Sequence, residues 1–274
     1  MRSSDARFPV KTWDGVSTSH KPRRLSMKCL LLTLTILALA VNTFAASGKD
    51  VTYKSGDENV KAVLYTPQGK GPFPALVVIH EWWGLTPWVK EQAANLADQG
   101  YAALAIDLYR GKSTASPDEA HELMRGVPAD RANRDLKAAF NYLASQKDVD
   151  AKRIGAIGWC MGGGYVLDLT VSEPRLAASI INYGHLATER STLEKIQAPI
   201  LGLFGGQDRG IPPDSVRAFA QQVQALGKSV EIKIYPDAGH AFENPGNKAG
   251  YREADAKDAW DRTIAFLDAK LKNR

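Results

Sequence analysis

Cysteine is almost absent from this chain: 274 residues contain two, Cys29 and Cys160. Two thiols cannot build a disulfide scaffold. No Cys or His pair stands at metal-ligand spacing, so no metal site is expected. Phosphate loops and dinucleotide fingerprints are absent too. Gly162-Gly163-Gly164 has neither a following Gly-Lys-Ser/Thr nor a Gly-x-Gly-x-x-Gly frame, and no cofactor is expected. Apolar runs long enough to cross a bilayer are also missing. The run at residues 29–41 has 13 residues, short of the roughly 20 that a spanning helix needs.

Charge of one sign is lacking once the N-terminal region is set aside. The formal net charge is +5, but residues 1–45 carry seven of the 35 Lys/Arg and two of the 30 Asp/Glu, which leaves 28 of each beyond residue 45. A balanced chain offers no electrostatic reason to bind nucleic acid or an anionic membrane. What residues 1–45 do contain is a targeting pattern. Met27-Lys28 precedes the apolar run, and Thr43-Phe44-Ala45 follows it as a small-x-small site, the layout of a secretory signal peptide. Residues 1–26 are polar and patternless, so Met27 is the expected start of translation. Cleavage after Ala45 leaves residues 46–274 as one domain, exported to the periplasm or medium without a stable membrane anchor. Cys29 departs with the leader. Cys160 is then a lone thiol in an oxidising compartment, a liability unless it has a use.

The rest of the chain alternates strand and helix patterns. Val51–Lys54 and Lys61–Tyr65 alternate in polarity and read as an antiparallel hairpin. Residues 74–79, 101–106, 153–157, 177–183, 199–204 and 230–235 read as strands, several of them apolar throughout, as expected of strands buried on both faces. Helical spacing fills the intervals at 88–99, 117–124, 131–146, 163–171, 213–226 and 251–271. Strands alternating with helices predict an α/β fold, a mostly parallel central sheet covered by helices on both faces.

Cys160 lies in Gly158-Trp159-Cys160-Met161-Gly162-Gly163, directly after the strand at 153–157 and before a helix. This is the layout of a nucleophile elbow, with a thiol in place of the usual hydroxyl. Glycines two residues to either side relieve the crowding of so sharp a turn, and the helix N-terminus beneath the sulfur favours thiolate. A thiol nucleophile needs a base, and the base an orienting acid. Asp208 follows the strand at 199–204, and His240 follows the strand at 230–235. Turn or helix-cap chemistry would explain Asp208 taken alone. The order Cys160, Asp208, His240, each after its own strand, is the nucleophile, acid, base order of the α/β-hydrolase fold. His80, at the end of a buried strand beside Glu81, reads as a satisfied core histidine; the alternative is that it shapes the adjoining loop.

His80-Glu81-Trp82-Trp83-Gly84-Leu85, Asp107-Leu108-Tyr109-Arg110, the Cys160 elbow, Gly206-Gln207-Asp208 and Ala238-Gly239-His240-Ala241-Phe242 together resemble dienelactone hydrolase (carboxymethylenebutenolidase) from about Pro74 to Leu267. The resemblance implies an α/β-hydrolase that cleaves a small-molecule ester or lactone through Cys160, His240 and Asp208. It also implies that Glu81 interacts with the resting thiol and that the backbone N–H groups of Trp82 and Met161 form the oxyanion hole. Two departures stand out. The family binds a substrate carboxylate with two arginines. Arg110 is displaced by one residue from the first, and Ala241-Phe242-Glu243-Asn244-Pro245 offers no counterpart of the second. An anionic dienelactone is therefore disfavoured, with Arg110 the single candidate to meet a carboxylate. Trp82, Trp83, Trp88, Tyr109 and Phe242 are expected to line an apolar acyl or ring pocket. Two other classes compete: a binding protein on the same scaffold, which would have a broken triad, and a redox-sensing thiol protein, which would oxidise reversibly without turning over esters.

Overall fold

The structure is a computed structural model that describes residues 46–273; the expected signal peptide in residues 1–45 lies outside them. The sheet has eight strands: β1 (Gly48–Ser55), β2 (Glu58–Tyr65), β3 (Phe73–Ile79), β4 (Ala102–Ile106), β5 (Val149–Trp159), β6 (Ala178–Asn182), β7 (Ile200–Gly205) and β8 (Val230–Tyr235). Their order is β1-β2-β4-β3-β5-β6-β7-β8. β3 to β8 run parallel, and β2 is antiparallel to both β1 and β4. This is the expected α/β-hydrolase architecture. From β3 the chain crosses to β4 on one side, then returns to β5 on the other. A crevice therefore opens at the carboxyl ends of β3 and β5, where such sheets bind ligands.

The helices are α1 (Pro87–Asp98), α2 (Pro117–Arg125), α3 (Ala129–Ala144), α4 (Met161–Ser172), α5 (Arg190–Leu193), α6 (Pro213–Ala225) and α7 (Glu253–Leu267), with a π-helical turn over Asp268–Lys272. Proline opens α1, α2 and α6, where its missing N–H costs nothing and its fixed φ suits the first turn. In α3 the buried residues Ala132, Leu136, Ala139, Phe140 and Leu143 recur at helical spacing and face the sheet. β4 and β6 are buried along their whole length, which is why their sequences show no polar alternation. Among the described residues no helix is long and apolar enough to cross a membrane.

Several elements differ from the sequence reading: β1 and β2 each begin three residues before the expected hairpin strands, and α5 has no counterpart in it. β5 starts at Val149, four residues before the apolar run. A register shift opposite Phe73 and Ala75 accommodates the polar stretch after it, and Arg153 Nε donates to Asp150 Oδ2 at 2.7 Å across it. The final helix stops at Leu267 and widens into the π-helical turn.

Candidate active site

β5 delivers Cys160 and α4 begins one residue later. Cys160 has φ 54° and ψ −118°, a sparsely populated region that costs a non-glycine residue about 1–3 kcal/mol. The neighbourhood holds it there. Its N–H donates to the Asn182 carbonyl at 3.0 Å, and Asn182 Nδ2 donates to the Gly158 carbonyl at 3.1 Å. A methyl group on Gly162 would lie 2.6 Å from the His80 carbonyl, and one on Gly158 would strike the Gly162 backbone. Glycine is thus required for close approach at both positions.

The loops after β7 and β8 bring Asp208 and His240 together. His240 Nδ1 and Asp208 Oδ2 are 2.7 Å apart, and Asp208 Oδ1 accepts the N–H groups of Gly210 and Ile211 at 2.8 and 3.1 Å. The Asp208 side chain is 1% exposed and that of His240 is 40% exposed, so the acid is sealed and the imidazole reachable. With Nδ1 on Asp208, Nε2 is the nitrogen that faces Cys160. Burial by itself would lower the imidazole pKa. Hydrogen bonds to Asp208 and Cys160 outweigh it and push His240 up to about 10. Burial would likewise raise Asp208, but His240 and the two loop amides hold it below the usual carboxylate range. The ring of Tyr183, at φ 38°, packs edge-on against His240 with centroids 5.2 Å apart.

Glu81 reaches the same cleft from the end of β3, yet its partner is not the sulfur. Asn244 Nδ2 donates to Glu81 Oε2 at 2.6 Å. The resting contact with Cys160 implied by the resemblance is therefore not the one adopted; the thiol faces His240. Asn244 belongs to the stretch Ala241-Phe242-Glu243-Asn244-Pro245 that lacks the family's second arginine, and it is a neutral donor. Burial dominates and pushes Glu81 up to about 7 against the pull of Asn244 and His240. Behind it, Glu243 accepts the Trp159 indole N–H at 3.0 Å, and its second oxygen is buried without a partner. Burial pushes Glu243 up to about 8, against the indole bond and with help from Glu81.

The backbone N–H groups of Trp82 and Met161 come from the loop after β3 and from the first turn of α4, the residue after Cys160. Among the described residues neither donates a hydrogen bond. The cleft has a volume of about 760 Å³ and is lined by Trp82, Trp83, Pro87 and Trp88 together with Cys160, His240, Glu81, Asn244 and Lys248. Trp82 and Trp83 pack against each other at 4.6 Å.

Three expected pocket residues lie elsewhere. Arg110 pairs with Glu58 at 2.6 Å and with the fully buried Asp135 at 2.7 Å. The chain turns there at φ 57°, so the guanidinium is carried toward β2 and α3 and away from the cleft. Tyr109 is 5% exposed, and its hydroxyl lies 3.0 Å from the Trp82 carbonyl and 3.2 Å from Met161 Sδ. It braces the site from behind and does not line it. Phe242 is fully buried between Tyr183 and Tyr235 and belongs to the core. Asn182 and Asn244 gave no sequence signal, because their contacts join segments far apart in the chain. Among the described residues no group of three or more His, Cys, Asp or Glu is placed to hold a metal ion.

A thiol faced by an imidazole with an acid behind the imidazole can perform acyl transfer. Residues 60–271 match the family model described as the dienelactone hydrolase family. The chain is 34% identical to "Putative carboxymethylenebutenolidase" of Salmonella typhimurium over 238 residues, covering 81% of this chain and 87% of that one. It is 32% identical to "Protein usf" of Aquifex pyrophilus, covering 82% and 99%. The crystal structure titled "Putative Dienelactone Hydrolase" from Klebsiella pneumoniae shares 31% identity with a TM-score of 0.75, covering 81% of this chain and 98% of that one.

Proposed function

The chain belongs to the dienelactone hydrolase family and is an ester or lactone hydrolase; from that premise we propose that Cys160 is its nucleophile, His240 its base and Asp208 the acid that orients His240. The observation that carries this reading is the 2.7 Å contact between Asp208 and His240, with the other face of the imidazole turned to the sulfur. The Cys160 thiolate attacks the carbonyl carbon, and the carbonyl π pair moves onto oxygen. The Trp82 and Met161 N–H groups receive that oxyanion; one such donor is typically worth about 3 kcal/mol. The intermediate collapses, the C–O bond breaks, and the His240 imidazolium protonates the leaving alkoxide. His240 then takes a proton from water, which attacks the thioester and returns the carboxylic acid and the Cys160 thiolate. Asn244 draws Glu81 away from the sulfur. A carboxyl pushed up to about 7 is protonated in a substantial fraction of molecules near neutrality, which limits repulsion of the thiolate.

The substrate is an uncharged ester or lactone with an apolar or aromatic acyl part. Tryptophans wall the cleft, and Arg110 is engaged by two carboxylates. Among the described cleft-lining residues Lys248 is the single cation apart from the protonated His240. Purified residues 46–274 should turn over uncharged aryl esters and lactones with a higher kcat/KM than carboxylate-bearing analogues of equal size. The reverse ranking would contradict the substrate class.

We infer also that the protein is exported, with cleavage after Ala45. Ala46 is 6% exposed, and its N–H donates to Asp98 Oδ1 at 3.0 Å, so a new terminal ammonium would meet a carboxylate. Mass spectrometry of protein from the native cell envelope should find Ala46 first; an intact Met1 or Met27 would refute it.

A further inference from the structure

We propose that His80, with Tyr109, aims the Trp82 N–H at the reacting oxygen, making the two side chains positioning residues for the oxyanion hole. The inference rests on the hydrolase reading with Cys160 as nucleophile.

In a trans peptide the N–H points opposite to the C=O of the same plane. The Trp82 N–H therefore shares its plane with the Glu81 carbonyl, and whatever grips that carbonyl sets the direction of the N–H. His80 Nδ1 lies 2.5 Å from the Glu81 carbonyl oxygen. Its Nε2 faces the Leu108 N–H at 3.2 Å. An amide can only donate, so Nε2 accepts, and Nδ1 carries the proton that it donates to Glu81. The ring is fully buried. Burial keeps it neutral, outweighing the Glu81 bond and the Asp107 carboxylate, so the tautomer is fixed. The Gly84 N–H grips the same carbonyl at 3.2 Å.

The next plane is held as well. The Tyr109 hydroxyl donates to the Trp82 carbonyl at 3.0 Å, and its oxygen touches Met161 Sδ at 3.2 Å. The two peptide planes flanking the Trp82 Cα are thus each pinned by a side chain. The Tyr109 ring packs edge-on against His80 with centroids 4.8 Å apart. The Asp107 carboxylate in turn takes the Tyr109 and Gly111 N–H groups and fixes the supporting loop.

These side chains matter because Gly162 packs against the Ile79 and His80 carbonyls without, among the described residues, a backbone hydrogen bond to join the two segments. The ladder between β3 and β5 ends at Ile79 and Gly158. Beyond it, among the described residues, no backbone hydrogen bond links 80–83 to 160–163. The two oxyanion donors come from separate segments, and the His80–Tyr109 brace fixes one against the other.

The test compares ester hydrolysis with alkylation of Cys160 by iodoacetamide, a displacement that forms no oxyanion. His80→Leu removes the clamp. His80→Gln keeps a donor for Glu81 and an acceptor for Leu108, and Tyr109→Phe keeps the ring but not the hydroxyl. For His80→Leu, kcat should fall on the order of 100-fold, the usual cost of an oxyanion donor, with KM little changed. Tyr109→Phe should lose a smaller factor of about 10, and His80→Gln should recover most of the loss in His80→Leu. Alkylation rates should stay at the wild-type value throughout. Unchanged kcat in folded His80→Leu and Tyr109→Phe would overturn the proposal, as would an alkylation rate that falls in step with hydrolysis. If His80→Leu does not fold, Tyr109→Phe decides by the same two readouts. Wild-type hydrolysis by Cys160→Ala would instead refute the underlying choice of nucleophile.

Discussion

His240 is squeezed between two partners, Asp208 on Nδ1 and Cys160 on the opposite nitrogen, and together they hold its proton to about pH 10. Groups coupled in this way act as one catalytic unit, and losing either member should cost most of what losing both costs. Cys160→Ala and His240→Ala should each lower kcat by several powers of ten, and the double variant should be little worse, as single-turnover assays would show. Additive losses would separate the two residues. At this scale the sequence marked the three residues of the proposed triad as candidates, since each occupies the loop after its own strand. It carried orientation poorly. Tyr109, Arg110 and Phe242 sit beside site residues in the chain, but a positive-φ turn at Arg110 and core packing at Phe242 send them elsewhere. Nothing local to Asn182 or Asn244 announces a side chain that grips a segment distant in sequence.

The elements act by bringing backbone into contact with backbone. The first turn of α4 rests on the end of β3 so closely that a methyl group on Gly162 would meet the Ile79 and His80 carbonyls. Gly162→Ala should cost about 1–3 kcal/mol of stability, the usual price of overpacking, and should slow alkylation of Cys160 by displacing the elbow. Gly239, which has open space around its Cα, serves as the control, and Gly239→Ala should leave the denaturation midpoint unchanged. Equal midpoints for the two variants would mean that the packing of α4 on β3 is loose. Strand and helix placement was legible because buried parallel strands are apolar throughout and the long helices carry apolar residues at helical spacing. The β5 bulge and the π-helical end of the last helix were not. Both depend on tertiary pairing, which a local hydropathy pattern does not encode.

For the molecule as a whole, the site is built at a cost in stability. Glu243 and Glu81 are buried carboxyls pushed up to about 8 and about 7, above an ordinary value of about 4.5 in the unfolded chain. A group raised on folding contributes stability that is complete below its unfolded pKa and is lost as pH rises through the folded one. Wild-type stability should therefore decline between about pH 5 and 8. Glu243→Gln keeps an acceptor for the Trp159 indole and removes the titration. Its stability relative to wild type should rise across that window by as much as roughly 3–5 kcal/mol, measured by chemical denaturation at each pH. Parallel curves for the two proteins would show that Glu243 keeps its ordinary ionisation.

The most direct test of Cys160 as nucleophile is to catch its acyl-enzyme. Wild-type protein quenched in acid during turnover of a slow aryl ester should gain one acyl mass. Fragmentation should place that mass on Cys160 as a hydroxylamine-sensitive thioester, and Cys160→Ala should neither gain it nor turn over. Acyl mass on another residue, or undiminished hydrolysis by Cys160→Ala, would contradict it.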